Sequence, residues 1–239
     1  MYGWRGRIGF IAPAAVIDTH GYDFYKLAPE GVLLLSANMG IDGLRSDTIE
    51  SALVNLEKCA RALAKFKADL IVFGGSPPVI HGGPGSGQRI IKRLEEITGL
   101  PALTSQESAI EAFHHFGAKR LAVASPFSDE QNEKLKVYLE ALNFEVKSMK
   151  GMNIEHEEIR VLPIGASYRQ AKEAFQMADG EVDLIYLPCA AWPTLENIEA
   201  LEEDLGVPVV TSVQAMVWDS LRKLKISSNK NGYGRLLTN

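Results

Sequence analysis

Cys189 ends an apolar run, Asp183-Leu184-Ile185-Tyr186-Leu187-Pro188-Cys189, and two small residues, Ala190 and Ala191, follow it. A run of this kind reads as a buried parallel strand. The thiol then stands at the carboxyl end of a strand, where open α/β sheets bind their ligands. A free thiol, with an ordinary pKa of about 8.5, is mostly protonated at neutral pH and can act as an acid. Strand-end cysteines also serve packing, since free cysteine is among the most buried residue types. The second cysteine, Cys59, falls inside a helical pattern and reads as a small core residue.

The Cys189 stretch has a partner in the chain. Asp69-Leu70-Ile71-Val72-Phe73-Gly74-Gly75-Ser76-Pro77 repeats its pattern 114 residues earlier, with Gly75 in the place of Cys189. Residues 120–126 (RLAVASP) repeat 7–13 (RIGFIAP) at an offset of 113, and 206–212 repeat 99–105 at an offset of 107. Three matches in one order make an internal duplication. Each half carries about four strands alternating with helices, the pattern of a parallel sheet covered on both faces. The expected fold is α/β, with two pseudo-symmetric Rossmann-like lobes, each a mostly four-stranded parallel sheet flanked by helices, and the active site in the interlobe cleft. Lobe one is predicted to be 1–105 plus 213–239 and lobe two 106–212, because the helix after each fourth strand crosses to the other half.

The positioning elements follow from the apolar periodicities. Strands are predicted at 7–12, 32–37, 70–73, 100–104 and 120–125, then from Phe144, at 184–187 and at 207–211. Helices are predicted at about 46–67, with Ser46 or Asp47 as cap, and at 88–98, 106–116, 129–142, 168–177, 195–205 and 213–224. A loop through Asp18, a Gly-rich loop at 38–43 and a loop at 149–156 connect them. The stretch 74–87, with Gly82, Gly83, Gly85 and Gly87, reads as a lid over strand ends rather than a phosphate cradle: it lacks the Lys-Ser/Thr of a P-loop. The polar tail 227–239 reads as mobile.

One thiol, with Gly75 at the sister position, favours delivery of one proton to one face of a substrate; two cysteines would suit a two-base racemase. An enediolate formed by loss of CO2 and protonated by Cys189 fits. Such an intermediate needs donors aimed at its oxygens. The Ser76 hydroxyl and N–H and the N–H groups of Ala190 and Ala191 are the candidates.

These residues resemble the aspartate/glutamate racemase superfamily, and within it arylmalonate decarboxylase and its maleate isomerase relatives. The likeness rests on Ile8-Gly9-Phe10-Ile11-Ala12-Pro13-Ala14-Ala15, Gly75-Ser76, Asp129 with Asn132-Glu133-Lys134-Leu135, Cys189 with Thr194-Leu195, 205–210, and Trp218-Asp219. The resemblance implies a cofactor-independent lyase acting on a malonate-like small carboxylic acid. It places Cys189 as the acid, with Gly75, Ser76, Pro13, Ser125, Phe127, His156, Ala190 and Ala191 around the substrate. This chain departs from the decarboxylase pattern at four places. Pro77 replaces a serine and has neither hydroxyl nor N–H. Phe127 replaces a tyrosine donor, and Ala190 and Ala191 replace glycines. Each lost donor would cost about 3–4 kcal/mol in barrier unless replaced, with Ser125 or Ser128 the nearby substitutes. His156 lies in the loop that matches the family's apolar substrate pocket, where it would suit a polar or second acidic group.

Two alternatives remain open on sequence: an isomerase in which Cys189 adds to a double bond, and a non-catalytic carboxylate-binding relative. The net charge of −5 and the lack of a Lys/Arg stripe argue against nucleic acid as partner. No 18-residue apolar run suggests a membrane span. No Cys/His spacing suggests zinc, no cofactor is implied, and two cysteines without a signal sequence fit a cytoplasmic location. Oligomeric state is left open.

Overall fold

The computed structural model describes residues 2–16, 19–41 and 46–238, the side chains of 41 and 46–54 excepted. The predicted loop residues Asp18, Asp42 and Gly43 lie outside the described residues, as do the side chains of the expected caps, Ser46 and Asp47. The chain divides into two compact units, Met1–Ser108 with Met216–Ser228, and Ala109–Ala215 with Asn229–Asn239. Unit 1 contains β1 (Gly6–Ala14), α1 (Thr19–Leu27), β2 (Val32–Ile41), α2 (Ser46–Lys65), β3 (Leu70–Phe73), α3 (Ser76–His81), α4 (Ser86–Thr98) and β4 (Ala102–Thr104). Next comes α5 (Ser105–His115), whose first four residues belong to unit 1 and the rest to unit 2. Unit 2 contains β5 (Arg120–Ser125), α6 (Asp129–Glu140), β6 (Glu145–Gly151), α7 (Gly165–Met177), β7 (Leu184–Leu187), α8 (Ile198–Leu205) and β8 (Val209–Thr211). The final helix α9 (Ser212–Lys223) divides in the reverse sense, after Ala215.

Both sheets are parallel and four-stranded, in the orders β2-β1-β3-β4 and β6-β5-β7-β8. The central strands β3 and β7 are buried along their whole length, as their unbroken apolar runs require. In each sheet the chain order reverses beside the first strand, between β1 and β3 and between β5 and β7. Those are the switch points outside whose carboxyl ends ligands bind.

The duplication holds at the level of hydrogen bonds. In unit 1, Asp69 accepts the Arg7 N–H at 2.8 Å and donates its own N–H to the Arg7 carbonyl at 2.7 Å. In unit 2, Asp183 accepts the N–H groups of Arg120 and Lys119 at 2.8 and 3.0 Å and donates to the Arg120 carbonyl at 2.8 Å. The Arg120 guanidinium adds a 2.7 Å ion pair. At the other edge, Glu95 and Glu202 each take the first N–H of the fourth strand, Ala102 and Val209. Gly99 and Gly206, with φ of 69° and 75°, end the helices α4 and α8 that carry these acids, in a conformation glycine adopts without strain.

Three expectations are corrected. The stretch read as a lid holds a short helix, α3. Pro77 and Pro78 fall in its first turn, where a missing N–H costs nothing, so prolines that look like loop residues start a helix here. The loop predicted at 149–156 begins later, because β6 runs on to Gly151 in register with Ser125. Gly151 is required for close approach: a Cβ there would stand 2.3 Å from the Asn132 amide nitrogen. The tail is packed rather than mobile through residue 238, and from Asn229 it belongs to unit 2 rather than lobe one. Leu236 and Leu237 are buried, Gln214 donates to the Tyr233 carbonyl at 2.7 Å, and Glu202 accepts the Arg235 N–H at 2.9 Å.

The Arg120 side chain and the two backbone donors hold the Asp183 carboxyl at about 2, below its ordinary value. A depressed carboxyl contributes stability above its unfolded pKa and loses it as pH falls through the folded one. Asp183→Asn is therefore expected to cost ~1–2 kcal/mol at pH 7, after allowance for partial exposure. The gap to wild type should shrink between about pH 4 and pH 2; urea unfolding across that range measures it.

Candidate active site

Cys189 lies two residues beyond the end of β7, one of the two strands that flank the unit 2 switch point. It is a free cysteine, 8% exposed, with a backbone φ of 89°. Left-handed backbone costs a side-chain-bearing residue on the order of 1–3 kcal/mol, and such strain collects at functional sites. The Ser212 hydroxyl, at the start of α9, accepts the Cys189 N–H at 3.1 Å and fixes this turn. Gly75 occupies the same place in unit 1, two residues beyond β3, with a φ of 85°. The backbone geometry is thus shared, and only unit 2 carries a side chain on it. A Cβ at Gly75 would stand 3.1 Å from Cγ of Pro13, one residue before the end of the neighbouring strand β1.

Burial pushes the Cys189 thiol up to about 11, against the N–H groups of Ala191 and Trp192 and the charge of Arg160, which lower it. At neutral pH roughly one sulfur in 10⁴ would then be ionised. Ala190 and Ala191 are both buried beside it. Their small side chains leave the turn open to close approach, and the Ala191 N–H already points at the sulfur. Arg160, in a 3-10 turn at Ile159–Val161, was not apparent from sequence. No periodicity marks a single arginine in a loop as the neighbour of a cysteine some thirty residues on.

The hydroxyls proposed as donors divide into two groups. Ser125 is fully buried and donates its one hydrogen to Asn132 Oδ1 at 2.6 Å while accepting the Phe127 N–H at 3.2 Å. Asn132 returns its amide to the Phe127 carbonyl at 3.2 Å. Ser125 therefore shapes the turn after β5 and has no donor left for a ligand. Ser128 caps α6 by accepting the Gln131 N–H. Phe127 is buried and contributes no side-chain donor. Ser76 differs: its hydroxyl is 2% exposed and has no hydrogen-bond partner among the described residues. The same is true of Ser105, the unit 1 counterpart of Ser212, and of the indole N–H of Trp192. Buried donors are nearly always paired, and each orphan costs ~1–3 kcal/mol, so three in these turns ask for an explanation.

His156 is half-buried in the turn before Ile159–Val161, on the same loop as Arg160. Cys59 sits on α2 of unit 1, is buried, and donates its thiol to the Asn38 carbonyl at 3.4 Å, which is packing rather than chemistry. Among the described residues no cluster of His, Cys, Asp and Glu suits a metal ion, and no helix is long and apolar enough to cross a membrane.

The arylmalonate decarboxylase family model matches residues 8–237. The arylmalonate decarboxylase of Bordetella bronchiseptica is 26% identical over 233 residues, covering 96% of this chain and 95% of that protein. The maleate isomerase of Nocardia farcinica is 27% identical over 241 residues, covering 97% and 95%. The solved structure of unliganded arylmalonate decarboxylase superposes with a TM-score of 0.86 at 27% identity, covering 97% of this chain and 98% of that one. Its relatives are thus decarboxylases and cis–trans isomerases built on the same pair of parallel sheets. With its strand-end thiol on a left-handed turn and glycine at the duplicate position, the chain belongs to the arylmalonate decarboxylase family.

Proposed function

We propose that the protein is a cofactor-independent decarboxylase of a malonate-like acid, with Cys189 as the proton donor. The observation that carries this reading is the state of the thiol. It is held on a strained backbone, buried and protonated, while its counterpart in the duplicate is Gly75, which has no side chain. In the reaction the bond from the α-carbon to one carboxylate breaks and CO2 leaves. The electron pair stays on the α-carbon and spreads into the remaining carboxylate as an enediolate. The Cys189 S–H gives its proton to one face of that carbon, and the thiolate left behind regains a proton from water. A thiol with a pKa near 11 retains its proton at physiological pH and is still far more acidic than the C–H bond it forms.

Charge developing on the enediolate requires donors that are already in place. The Trp192 indole, in the unit that carries Cys189, is a buried donor with no partner among the described residues, which supports its assignment to this task. Trp192 is the replacement assigned for the phenol that Phe127 lacks. A second reading, cis–trans isomerisation by a nucleophilic thiolate, draws on the likeness to maleate isomerase and on the three groups that lower the thiol pKa.

Three outcomes are expected. Cys189→Ala should lower CO2 release, and deuterium incorporation from D2O, by ~10³-fold or more while the protein stays folded; unchanged turnover would sink the assignment. Cys189→Gly should be equally inactive yet ~1 kcal/mol more stable than Cys189→Ala in urea, the reverse of the usual order of the two residues, because glycine relieves the left-handed strain. Alkylation of Cys189 by iodoacetamide should rise with pH and level off only near the thiol pKa of about 11, whereas kcat/KM, which needs the protonated form, should hold through pH 9 and fall as pH rises through that same value. A plateau of alkylation near neutrality would favour the isomerase.

A further inference from the structure

The two halves differ in what holds the first turn of the helix after the fourth strand. In unit 1 that turn is Thr104-Ser105-Gln106-Glu107; in unit 2, at an offset of 107, it is Thr211-Ser212-Val213-Gln214. Both follow the Ser/Thr-x-x-Glu/Gln pattern of a capping box. Thr104 Oγ1 accepts the Glu107 N–H at 3.1 Å, and Thr211 Oγ1 accepts the Gln214 N–H at 3.4 Å. In unit 2 the box closes, with Gln214 Oε1 accepting the Thr211 N–H at 3.3 Å. The last residue of each box also ties the turn to a further segment. In unit 1, Glu107 Oε2 accepts the Gln88 amide, from the first turn of α4, at 2.7 Å. Unit 2 holds no α-helix between β7 and α8. There the tail supplies the tie: Gln214 Nε2 donates to the Tyr233 carbonyl at 2.7 Å.

The tail is fastened next to that point by a buried carboxylate. Glu202, 5% exposed, accepts the Val209 N–H on Oε1 and the Arg235 N–H on Oε2, both at 2.9 Å. The Arg235 guanidinium donates to the Glu202 and Gly206 carbonyls at 3.3 Å, at the carboxyl end of α8, where a cation suits the helix dipole. Gly234 makes the approach possible, since a Cβ there would stand 2.3 Å from Ile198 Cγ2. Glu95, the unit 1 counterpart of Glu202, is exposed.

The turn held in this way contains Ser212, whose hydroxyl accepts the Cys189 N–H at 3.1 Å. The Gln214 amide has one orientation that serves both its partners: only its oxygen can accept from Thr211, and only its nitrogen can donate to Tyr233. A continuous path therefore runs inside unit 2 from the tail, through one helical turn, to the backbone of the strained cysteine.

We propose that Gln214 and the tail segment around Tyr233 and Gly234 are positioning residues for Cys189: they lock the first turn of α9 and, through Ser212, hold the thiol in its left-handed, buried place. That Cys189 is a proton donor rests on the decarboxylase reading above; the strap is tested without turnover.

Gln214→Glu separates the two duties of the side chain. A glutamate completes a capping box as glutamine does, but its carboxylate cannot donate to the Tyr233 carbonyl. Gly234→Ala loosens the strap from the other side, against Ile198. In both full-length variants, alkylation of Cys189 by iodoacetamide at about pH 8, followed by peptide mass, is expected to rise ~10-fold, because a loosened turn admits water and more of the sulfur ionises. Amide hydrogen exchange in β5 is expected to stay as slow as in wild type. An unchanged rate at Cys189 in either variant overturns the proposal. So does a rise accompanied by faster exchange throughout β5, the mark of a unit that has only lost stability. Should the variants fail to fold, wild type supplies the test. Urea below the unfolding transition is expected to open the tail amides and Cys189 together, ahead of β5; a tail that opens with no change at Cys189 overturns the strap. On a malonate that wild type turns over, both variants should lower kcat ~10-fold with KM nearly constant, and a change confined to KM overturns the positioning role. A wild type that turns over no malonate sinks the decarboxylase reading, while the alkylation and exchange rates still decide the strap.

Discussion

The constraint on which the site depends is a backbone angle. Two residues past the central strand of each sheet the chain must turn through a φ near +85°, a region that side chains rarely enter. Unit 1 meets the demand with glycine and keeps no side chain there. Unit 2 meets it with cysteine, at a cost in strain that only the surrounding hydrogen bonds can sustain. The Ser212 hydroxyl on the Cys189 N–H and the Ala191 and Trp192 N–H groups on the sulfur are those bonds.

The rest of each sheet exists to hold that turn in register. Asp69 and Asp183 pin the start of the central strand to the start of the first, and Glu95 and Glu202 pin the start of the fourth. With both neighbours fixed at their amino ends, the carboxyl ends are aligned at the switch point to within the pleat of the strand. Pro13 then packs where a side chain on Gly75 would go, and Ser125, Asn132 and Phe127 close the equivalent turn of unit 2 through three mutual hydrogen bonds.

Much of this was legible in the residues. The strands are unbroken apolar runs ended by proline or glycine, and the duplication pairs Arg7 with Arg120, Asp69 with Asp183 and Gly99 with Gly206, each pair now seen in the same local role. The glycine-for-cysteine exchange was readable as a site with one thiol. What stayed hidden depends on partners distant in sequence. Pro77 and Pro78 look like loop residues until they are seen to open α3, and Gly151 reads as a turn until the side chain of Asn132 is seen against it. Ser125 passes for a donor until its single hydrogen is found on Asn132. The tail reads as polar, but Leu236 and Leu237 bury themselves against unit 2, where Gly234 lets the chain pass within 2.3 Å of the Ile198 methyl for any Cβ it might have carried. Arg160 could not be linked to Cys189 at all without the fold.

The burial of the Cys189 sulfur has one more consequence, for durability. Oxidation by peroxide begins from the thiolate and needs access, so low-pKa, exposed cysteines are the ones that climb from sulfenic to sulfonic acid. A sulfur that is 8% exposed, with its pKa near 11, offers neither. The same desolvation that keeps the proton on the sulfur therefore also preserves it in its reduced state.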